Sequence, residues 1–259
     1  MSDPAELRRQ FPLFARVPRP FHYLDNAATA QIHADALAAV LAHETTARAN
    51  VQRGTYPLAE AATSAYETAR ERVRRFLGAG SSAEVVFTSG ATASLNLVAR
   101  AFGAGLSAGD EVLLSEAEHH SNFLPWLQLR DRVGIVLRIL PVGDDGRLDL
   151  GSLDRLVTGR CRLVAVTHCS NVTGAVTDVD AIVRAARAVG ARVLLDGAQA
   201  VQHGPVDVTA LGVDFYAFSG HKCFGPGGVG VLWGRPELLA ELPPVMTGGG
   251  MVGEVGLDG

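Results

Sequence analysis

Cysteine is scarce in this chain. Its 259 residues contain three cysteines, Cys161, Cys169 and Cys223, and their spacing is not that of a metal site. An odd number without a paired pattern argues against a disulfide framework and against a zinc centre. The sequence therefore predicts free thiols and no metal site. Two of the thiols lie in or beside strand-like runs, where a small buried side chain is expected.

Long apolar runs and clusters of basic residues are also missing. No window offers about twenty uninterrupted apolar residues for a membrane span, and the first residues lack the apolar stretch of a signal peptide. The net charge is -4, and no run of Lys and Arg is present that would bind nucleic acid. These absences predict a cytoplasmic protein that binds neither membranes nor nucleic acid.

The composition that remains is that of a folded α/β domain. Hydrophobic residues make up 47% of the chain and charged residues 19%, which suffices for one large domain with a sizeable core. Helical and strand-like patterns alternate, which favours a mostly parallel sheet flanked by helices. The predicted helices cover residues 32–47, 59–76, 94–102, 179–189 and 236–241. The seven predicted strands cover residues 85–88, 111–115, 135–140, 163–167, 193–195, 215–218 and 230–233.

The chain shows no internal repeat, low-complexity tract or linker that would divide it. Residues 246–259 are rich in glycine and end without a helix or strand, so they are expected to form a loop leading toward a further domain. The expected organisation is an N-terminal arm over residues 1–20, a large domain over residues 21–245 and this terminal loop.

Lys222 and Asp196 are the residues that most directly suggest chemistry. Lys222 lies in Ser-Gly-His-Lys-Cys-Phe-Gly-Pro, a tight loop whose lysine amine can form an imine with an aldehyde cofactor. Asp196 is expected at the carboxyl end of a buried strand, where ligands bind and where a carboxylate can keep a pyridine nitrogen protonated. Taken singly, such a lysine is more often solvated, and such an aspartate often caps a helix or forms a turn. Together they favour a pyridoxal phosphate (PLP) site.

Three further loops at predicted strand ends carry polar groups. Residues 88–96, Thr-Ser-Gly-Ala-Thr-Ala-Ser-Leu-Asn, open a helix whose free N–H groups suit a phosphate, although a simple Ser/Thr cap explains the same pattern. In Glu-His-His-Ser-Asn, an imidazole can lie over an aromatic ring and exchange protons near neutral pH. A metal site at His119 and His120 is disfavoured because adjacent side chains point apart. Asn171 can donate to a cofactor or substrate, with an Asx-turn as an equal alternative.

Six segments in chain order resemble the motifs of class V (fold type I) PLP-dependent enzymes. They are Tyr-Leu-Asp-Asn-Ala-Ala-Thr (residues 23–29), Ser-Gly-Ala-Thr, Glu-His-His-Ser-Asn, Ser-Asn-Val-Thr-Gly, Asp-Gly-Ala-Gln and Ser-Gly-His-Lys. The likeness is greatest to cysteine desulfurases of the SufS and CsdA kind, and it spans the chain from Phe11 to the terminal glycines. It implies the large, PLP-binding domain of the PLP-transferase fold type I over residues 21–245, with the C-terminal small domain absent from this sequence.

The resemblance also implies roles around the cofactor ring. By position, Lys222 forms the imine with PLP and then moves protons on the substrate. Asp196 pairs with the pyridinium nitrogen, and Gln199 hydrogen-bonds the phenolate. His119 stacks on the ring face, and Asn171 contacts the phenolate or the substrate carboxylate. Lys222 and His119 are accordingly the expected catalytic residues.

The remaining carried-over positions belong to the phosphate. Thr92, Ser219 and His221 match phosphate-binding positions, and backbone N–H groups near Ala91 assist them. The implied reaction converts L-cysteine to L-alanine and passes the sulfur as a persulfide to a protein thiolate. The implied partners are a sulfur-acceptor protein, in iron-sulfur cluster assembly, and a second copy of the chain in a homodimer.

Departures from the family pattern leave alternatives open. Desulfurases of this kind carry the sulfur-accepting cysteine beyond the Gly-Gly-Gly segment, and none of the three cysteines matches that position. Tyr56 stands where His is usual, and Ala93 where Glu is frequent. The sequence therefore also admits another class V enzyme, such as a selenocysteine lyase-like, kynureninase-like, epimerase or transaminase protein. A non-catalytic protein of the same fold is the third reading.

Overall fold

The centre of the computed structural model, which describes residues 3–52 and 54–248, is a sheet of seven strands in the order β1-β7-β6-β5-β4-β2-β3. The strands are β1 (Val85–Thr88), β2 (Glu111–Ser115), β3 (Val136–Leu140), β4 (Cys161–Thr167), β5 (Arg192–Asp196), β6 (Phe215–Ser219) and β7 (Gly230–Gly234). Strands β3, β2, β4, β5 and β6 are parallel, and β7 is antiparallel to both β6 and β1. The predicted mostly parallel, seven-stranded sheet is confirmed, with each strand end within two residues of its expected place.

Ten α-helices lie within the described ranges. They are α1 (Pro4–Arg9), α2 (Pro12–Arg16), α3 (Ala34–Ala42), α4 (Pro57–Phe76), α5 (Ala91–Gly103), α6 (Leu124–Val133), α7 (Leu153–Leu156), α8 (Val179–Ala188), α9 (Val208–Leu211) and α10 (Pro236–Glu241). A π-helical turn, His43–Ala47, continues α3 to the end of the predicted segment. Within the same ranges, no helix combines the length and the apolar character that a bilayer crossing requires.

The sequence analysis missed α6 and the short helices α1, α2, α7 and α9. In α6 only Trp126 and Leu129 are buried, so the helix has too few apolar positions to show a clear period. Helix α5 begins three residues before the predicted start at residue 94. Its first residues, Ala91, Thr92 and Ala93, are small and carry no apolar pattern, and Gly90 before them supplies the N-cap.

Both faces of the sheet are covered, as the continuous apolar strands require. Alternate residues of β5 face opposite layers: Val193 and Leu195 belong to the core layer that contains Ile182 of α8. Leu194 belongs to the layer that contains Leu95 of α5. Because the interior of each strand is closed on both sides, polar side chains are concentrated at the strand ends.

One edge of the sheet gathers the carboxyl ends of six strands and the start of β7. Polar residues end five of these strands: Thr88, Ser115, Thr167, Asp196 and Ser219. In open α/β sheets, ligands bind in the crevice outside this edge. The order of the sheet thus brings together loops that are far apart in the chain.

The segment before α3 lies across the loop that carries Lys222. The Ala30 N–H donates to the His221 carbonyl at 2.9 Å, and the His33 N–H donates to the Phe224 carbonyl at 2.9 Å. The Ala34 N–H donates to Gln10 O at 2.8 Å, which ties the segment back to the N-terminal helices. Residues 30–34 therefore join the N-terminal helices to the lysine loop.

Candidate active site

A cavity of about 520 Å³ lies at the carboxyl edge of the sheet. Its lining includes all nine residues that the sequence analysis nominated: Ala91, Thr92, His119, Asn171, Asp196, Gln199, Ser219, His221 and Lys222. They come from the start of α5 and from the loops or ends that follow β2, β4, β5 and β6. The structure brings the whole set together, and their individual roles toward a cofactor stay predictions.

Lys222 ends a single 3-10 turn, Gly220–Lys222, directly after β6. The turn is closed by backbone hydrogen bonds, because the Gly220 N–H donates to the Val229 carbonyl at 2.8 Å and the Gly225 N–H donates to Gly220 O at 2.9 Å. Phe224 has a φ of 63°, a left-handed conformation that is uncommon outside glycine. The loop is therefore held in one shape by its own backbone.

Lys222 is also the only lysine in the 259 residues. All other cationic side chains of this sequence, apart from histidine, are arginines, which remain protonated and do not form imines with aldehydes. The cavity thus holds the one side-chain amine of the sequence.

Asp196, the last residue of β5, places a buried carboxyl group in the same cavity. One oxygen, Oδ1, accepts a hydrogen bond from the Ala198 N–H at 3.0 Å, and the residue is 5% exposed. Burial raises the pKa of Asp196, while Lys222 and His119 act to lower it. Among the described residues, Oδ2 has no hydrogen-bond donor. This oxygen is free to accept a hydrogen bond from a protonated ring nitrogen.

A buried tyrosine supports the turn after Asp196. A Cβ atom at Gly197 would lie 2.2 Å from the ring of Tyr216, so only glycine fits there. The Tyr216 hydroxyl and His168 Nδ1 are hydrogen-bonded at 2.9 Å, and burial raises the pKa of Tyr216 and lowers that of His168, so both groups are neutral. The His168 N–H donates to the Asp196 carbonyl at 2.9 Å. These contacts fix the ends of β4, β5 and β6 relative to one another.

The start of α5 forms a corner of the cavity with free backbone N–H groups. The Ala91 N–H donates to Ser219 Oγ at 2.8 Å, whereas the N–H groups of Thr92 and Ala93 have no partner inside the helix. A Cβ atom at Gly230 would lie 2.4 Å from Gly90, so glycine at that position lets β7 approach the helix start. Free N–H groups and the positive end of the helix dipole favour a phosphate there.

His221 is held by the N-terminal segment. Its Nδ1 lies 3.0 Å from Thr29 Oγ1, and Tyr23 in turn donates to the Thr29 carbonyl at 2.8 Å. Burial and the charge of Lys222 both lower the pKa of His221. A neutral imidazole therefore lines the cavity beside the lysine.

The amide of Gln199 is already engaged on both sides. Its Nε2 donates to the Ala27 carbonyl at 2.6 Å, and its Oε1 accepts from Gln202 Nε2 at 2.8 Å. Hydrogen bonding to a cofactor phenolate would require Nε2 to share or release the Ala27 contact. Gln202 and Ala27 thus determine the orientation of this amide.

His119 and Asn171 approach the cavity from two loops. The His119 Nδ1 accepts a hydrogen bond from the Ser121 N–H at 3.2 Å, and the Ser121 hydroxyl lies 2.5 Å away. A backbone N–H can only donate, so the proton of neutral His119 is on Nε2. Near Asn171 the turn is made by Ser170, whose Oγ accepts from the N–H groups of Val172 and Thr173 at 3.2 Å each. The turn is therefore closed by the Ser170 hydroxyl, and Asn171 does not form the alternative Asx-turn.

Residues outside the nominated set also contribute. The cavity is lined in addition by Asp25, Ser121, Thr167 and Cys169. Glu118 contacts Thr167 from behind the lining and was not nominated, although it belongs to the Glu-His-His-Ser-Asn motif. Its only signal in the sequence was a carboxylate directly before His119, just after a strand end.

Residues 22–259 match the family described as aminotransferase class-V. The chain belongs to this family. Class V aminotransferases are PLP-dependent, and the lining fits that cofactor. One amine faces the cavity for the aldehyde, a buried carboxyl group has a free oxygen for the ring nitrogen, and the start of α5 has free N–H groups for the phosphate.

Three similar proteins are named cysteine desulfurase. The chain is 47% identical over 260 residues to a cysteine desulfurase of Dickeya dadantii, and the match covers 97% of the chain and 62% of that protein. The crystal structure of the cysteine desulfurase CsdA from Escherichia coli superposes with a TM-score of 0.90 at 40% identity, and the apo cysteine desulfurase from Thermococcus onnurineus with 0.93 at 38%. Both superpositions cover 100% of the chain and 64% of the other protein. The chain spans between 38% and 64% of the length of the curated relatives that it matches.

Proposed function

We propose that this chain is the cofactor-binding part of a PLP-dependent cysteine desulfurase, which converts L-cysteine to L-alanine and passes sulfur as a persulfide to an acceptor. The observation that carries the proposal is the meeting of the one lysine with the buried, unpaired Asp196 oxygen in a single cavity. The names of the relatives support L-cysteine as the substrate.

Bound PLP supplies an electron-accepting ring that weakens the bonds at the α-carbon of an attached amino acid. Lys222 would hold the cofactor aldehyde, and its Nζ would carry a proton to or from the substrate. Asp196 keeps the ring nitrogen protonated through Oδ2. This pairing is strong because the carboxyl group is buried, where the effective dielectric is low.

The start of α5 binds the phosphate and thereby fixes the cofactor in the cavity. The N–H groups of Thr92 and Ala93 and the Thr92 hydroxyl donate to it, and Ser219 adds a hydroxyl from β6. Because Ser219 Oγ already accepts from Ala91, its hydroxyl proton remains available for a phosphate oxygen. Residues of β6 and α5, already joined by the Ala91–Ser219 hydrogen bond, would thus hold the phosphate between them.

His119 and Asn171 face the substrate side. With Nδ1 of His119 committed to Ser121, Nε2 is the atom that can exchange a proton. The exposed Asn171 amide supplies a donor for the substrate carboxylate or for the phenolate. Gln199 would donate to the phenolate through Nε2, sharing or releasing its hydrogen bond to the Ala27 carbonyl.

None of the three cysteines is suited to receive the sulfur. Burial raises the pKa of Cys161 and of Cys223 to about 11, and it also raises the pKa of Cys169. Near pH 7 these groups are neutral thiols, whereas sulfur transfer needs a thiolate. The acceptor thiolate therefore comes from outside these three positions.

The rim of the cavity supports a homodimer. Leu24 and Val172, which adjoin cavity residues in the chain, are 91% and 84% exposed, and a second copy packed against this rim would cover both apolar side chains. The same family relationship supports a cytoplasmic protein that delivers sulfur to an acceptor protein for iron-sulfur cluster assembly. The homodimer, the cytoplasmic location and the acceptor protein are therefore parts of the proposed function.

The proposal is tested by mapping where PLP attaches. The purified 259-residue chain is incubated with PLP, reduced with borohydride and digested, and the labelled peptide is identified by mass spectrometry. We expect the label on Lys222 and no label in Lys222→Arg, which keeps the positive charge. A folded chain labelled only at its α-amino group would contradict the cofactor assignment.

The substrate is tested on the same loaded protein. L-Cysteine is compared with L-alanine, L-kynurenine and L-selenocysteine by the change that each causes in the cofactor absorption spectrum. We expect L-cysteine to perturb the spectrum at the lowest concentration. A spectrum that responds to L-kynurenine but not to L-cysteine would assign the site to another class V reaction.

A further inference from the structure

Glu118 lies behind the cavity and accepts hydrogen bonds from three separate places. Its Oε1 accepts from the Thr167 N–H at 2.8 Å and from the Ser115 hydroxyl, and its Oε2 accepts from Asn122 Nδ2 at 2.6 Å. Ser115 ends β2, Thr167 ends β4, and Asn122 ends the 3-10 turn His120–Asn122. One carboxyl group thus joins two strand ends to the turn that follows His119.

The orientation of these partners is defined by their own contacts. Asn122 is buried, and its Oδ1 faces the Trp126 indole N–H at 3.4 Å, so its NH₂ group faces Glu118. The Thr167 N–H can only donate. When Glu118 is protonated, the Ser115 hydroxyl is therefore the only one of the three partners that can accept a hydrogen bond from it.

The contacts of Glu118 lead directly to two residues of the cofactor site. His119, which is expected to stack on the cofactor, is the next residue in the chain. Thr167 is paired with Asp196 in the register of β4 and β5, and the His168 N–H donates to the Asp196 carbonyl. A change at Glu118 therefore alters the position of His119, which is expected to stack on the cofactor ring, and of the end of β5, which carries Asp196.

Charge at Glu118 is also sensitive to pH in the neutral range. Burial raises its pKa to about 7 against the effect of its three donors, and the negative charge of Asp196 adds to the rise. Asp196, on β5, is the charged group that faces it, and the other contacting groups, from β2, β4 and the 3-10 turn, are uncharged. The neighbouring His119 bonds to Ser121 instead.

We propose that Glu118 is a positioning residue of the PLP site. By joining β2, β4 and the 3-10 turn, it holds His119 in place over the cofactor, and its own carboxylate adds a negative charge near Asp196. This inference rests on the proposed function. It assigns no contact between Glu118 and the substrate, and it gives the carboxyl group a task that none of the nine nominated residues performs.

The test compares Glu118→Gln with Glu116→Gln in the PLP-loaded 259-residue chain. Glu116 is a matched control, because it lies on the same loop and also accepts from a backbone N–H, that of Val142 at 2.9 Å, but it is exposed and, unlike Thr167, its partner Val142 does not line the cavity. In Glu118→Gln the new NH₂ group must face either the Asn122 NH₂ or the Thr167 N–H, which are both donors. We expect PLP to bind about tenfold more weakly in this variant and unchanged in Glu116→Gln.

A second readout separates this role from general stability. The absorption of the bound cofactor is titrated with pH in both variants. Ionised Glu118 favours a protonated cofactor, so its removal lowers the midpoint by about half a pH unit, while Glu116→Gln leaves it in place. The circular dichroism of the bound cofactor reports whether the ring has turned relative to His119, and we expect it to change only in Glu118→Gln.

Glu118→Asp covers the case in which the glutamine variant does not fold. It keeps the charge but is too short to reach both Asn122 and Thr167, so weaker PLP binding and altered dichroism are again expected. Wild-type affinity, midpoint and dichroism in both Glu118 variants would overturn the inference. If the unsubstituted chain does not attach PLP at Lys222, the proposed function itself fails, and the two failures are thereby distinguished.

Discussion

The carboxyl groups of this molecule differ according to the strand end at which they lie. At the amino edge of the sheet, buried Asp214 is within 2.9 Å of Arg187 and 3.4 Å of Arg235, and buried Glu111 is within 2.7 Å of Arg138. At the carboxyl edge, Asp196 is just as enclosed but has no arginine within salt-bridge distance among the described residues. Paired carboxylates stabilise the sheet, whereas an unpaired one is available to a ligand.

Glu118 makes stability depend on pH. Because burial raises its pKa from 4.5 to about 7, the folded chain binds this proton more tightly than the unfolded chain does. The resulting stabilisation is complete below pH 4.5 and is lost as the pH rises through 7. It amounts to about 3 kcal/mol for a shift of this size.

Urea unfolding at a series of pH values measures this effect. Between pH 5 and pH 8, the free energy of unfolding of the unsubstituted chain is expected to fall by about 2.5 kcal/mol more than that of Glu118→Gln. Glu116→Gln should keep the fall of the unsubstituted chain. Parallel curves for all three proteins would show that Glu118 is ionised throughout this range.

Gly197 is required by packing, because any side chain there meets the ring of Tyr216 at 2.2 Å. Gly197→Ala is expected to lower the free energy of unfolding by about 1–3 kcal/mol, as overpacking of a closed core does. The matched control is Gly204→Ala, where a Cβ has no neighbour within 4 Å. Chemical denaturation of both variants decides the point, and equal stabilities would mean that the tyrosine moves aside without cost.

At the scale of elements, the phosphate corner depends on how closely β7 approaches α5. Strand β7 pairs with both β1 and β6, so its first residue, Gly230, lies between Thr88 and Ser219 and against Gly90. This contact places the free N–H groups of α5 beside the Ser219 hydroxyl. The corner is therefore built by an antiparallel strand inside an otherwise parallel arrangement.

Gly230→Ala tests this dependence. Its Cβ would lie 2.4 Å from Gly90 backbone atoms, so the start of α5 must shift away from β6. We expect the affinity for PLP to fall about tenfold or more, from one lost charged hydrogen bond to the phosphate. Gly227→Ala, in the same loop but with open space around its Cβ, serves as the control. Equal PLP dissociation constants in the two variants would rule out a part for Gly230 in phosphate binding.

At the scale of the whole molecule, the nine nominated residues share one cavity, but no thiol of the described chain is ionised near neutral pH. The three cysteines are neutral near pH 7, and the chain spans 62% to 64% of the length of its desulfurase relatives in the superpositions and in the Dickeya comparison. Cofactor binding and sulfur transfer are thus expected to separate in this polypeptide.

The 259-residue chain is expected to hold PLP at Lys222 and yet to form little alanine from L-cysteine. Alanine is quantified by mass spectrometry, with and without an added small thiol that can take up the sulfur. The thiol should increase the yield, and Lys222→Arg should abolish it in both conditions. Robust formation of alanine without added thiol, with a persulfide on the protein, would contradict this expectation, and peptide mapping of that persulfide would show whether one of the three cysteines is an acceptor.

The sequence by itself determined the strands, the family and the nominated residues. Alternating or continuous apolar runs define the strands locally, and motifs such as Ser-Gly-His-Lys and Asp-Gly-Ala-Gln are contiguous, so each can be recognised without knowledge of its neighbours in space. Lys222 and Asp196 could be paired on this basis alone. The small residues at the start of α5 and the weakly periodic residues of α6 carry no such pattern. The start of α5 was therefore predicted three residues too late, and α6 was missed.

Only the tertiary structure decided how these segments act on one another. The order of the strands places Thr167 beside Asp196, the two donors of Ser121 set the proton of His119, and Ala27 holds the amide of Gln199 from a distant part of the chain. The contacts of Glu118 belong to the same class. They join residues 49 positions apart, and the burial that raises its pKa exists only after β2, β4 and the turn have come together. Hydrogen-bond partners and desolvation are properties of the folded neighbourhood, and no local pattern encodes them.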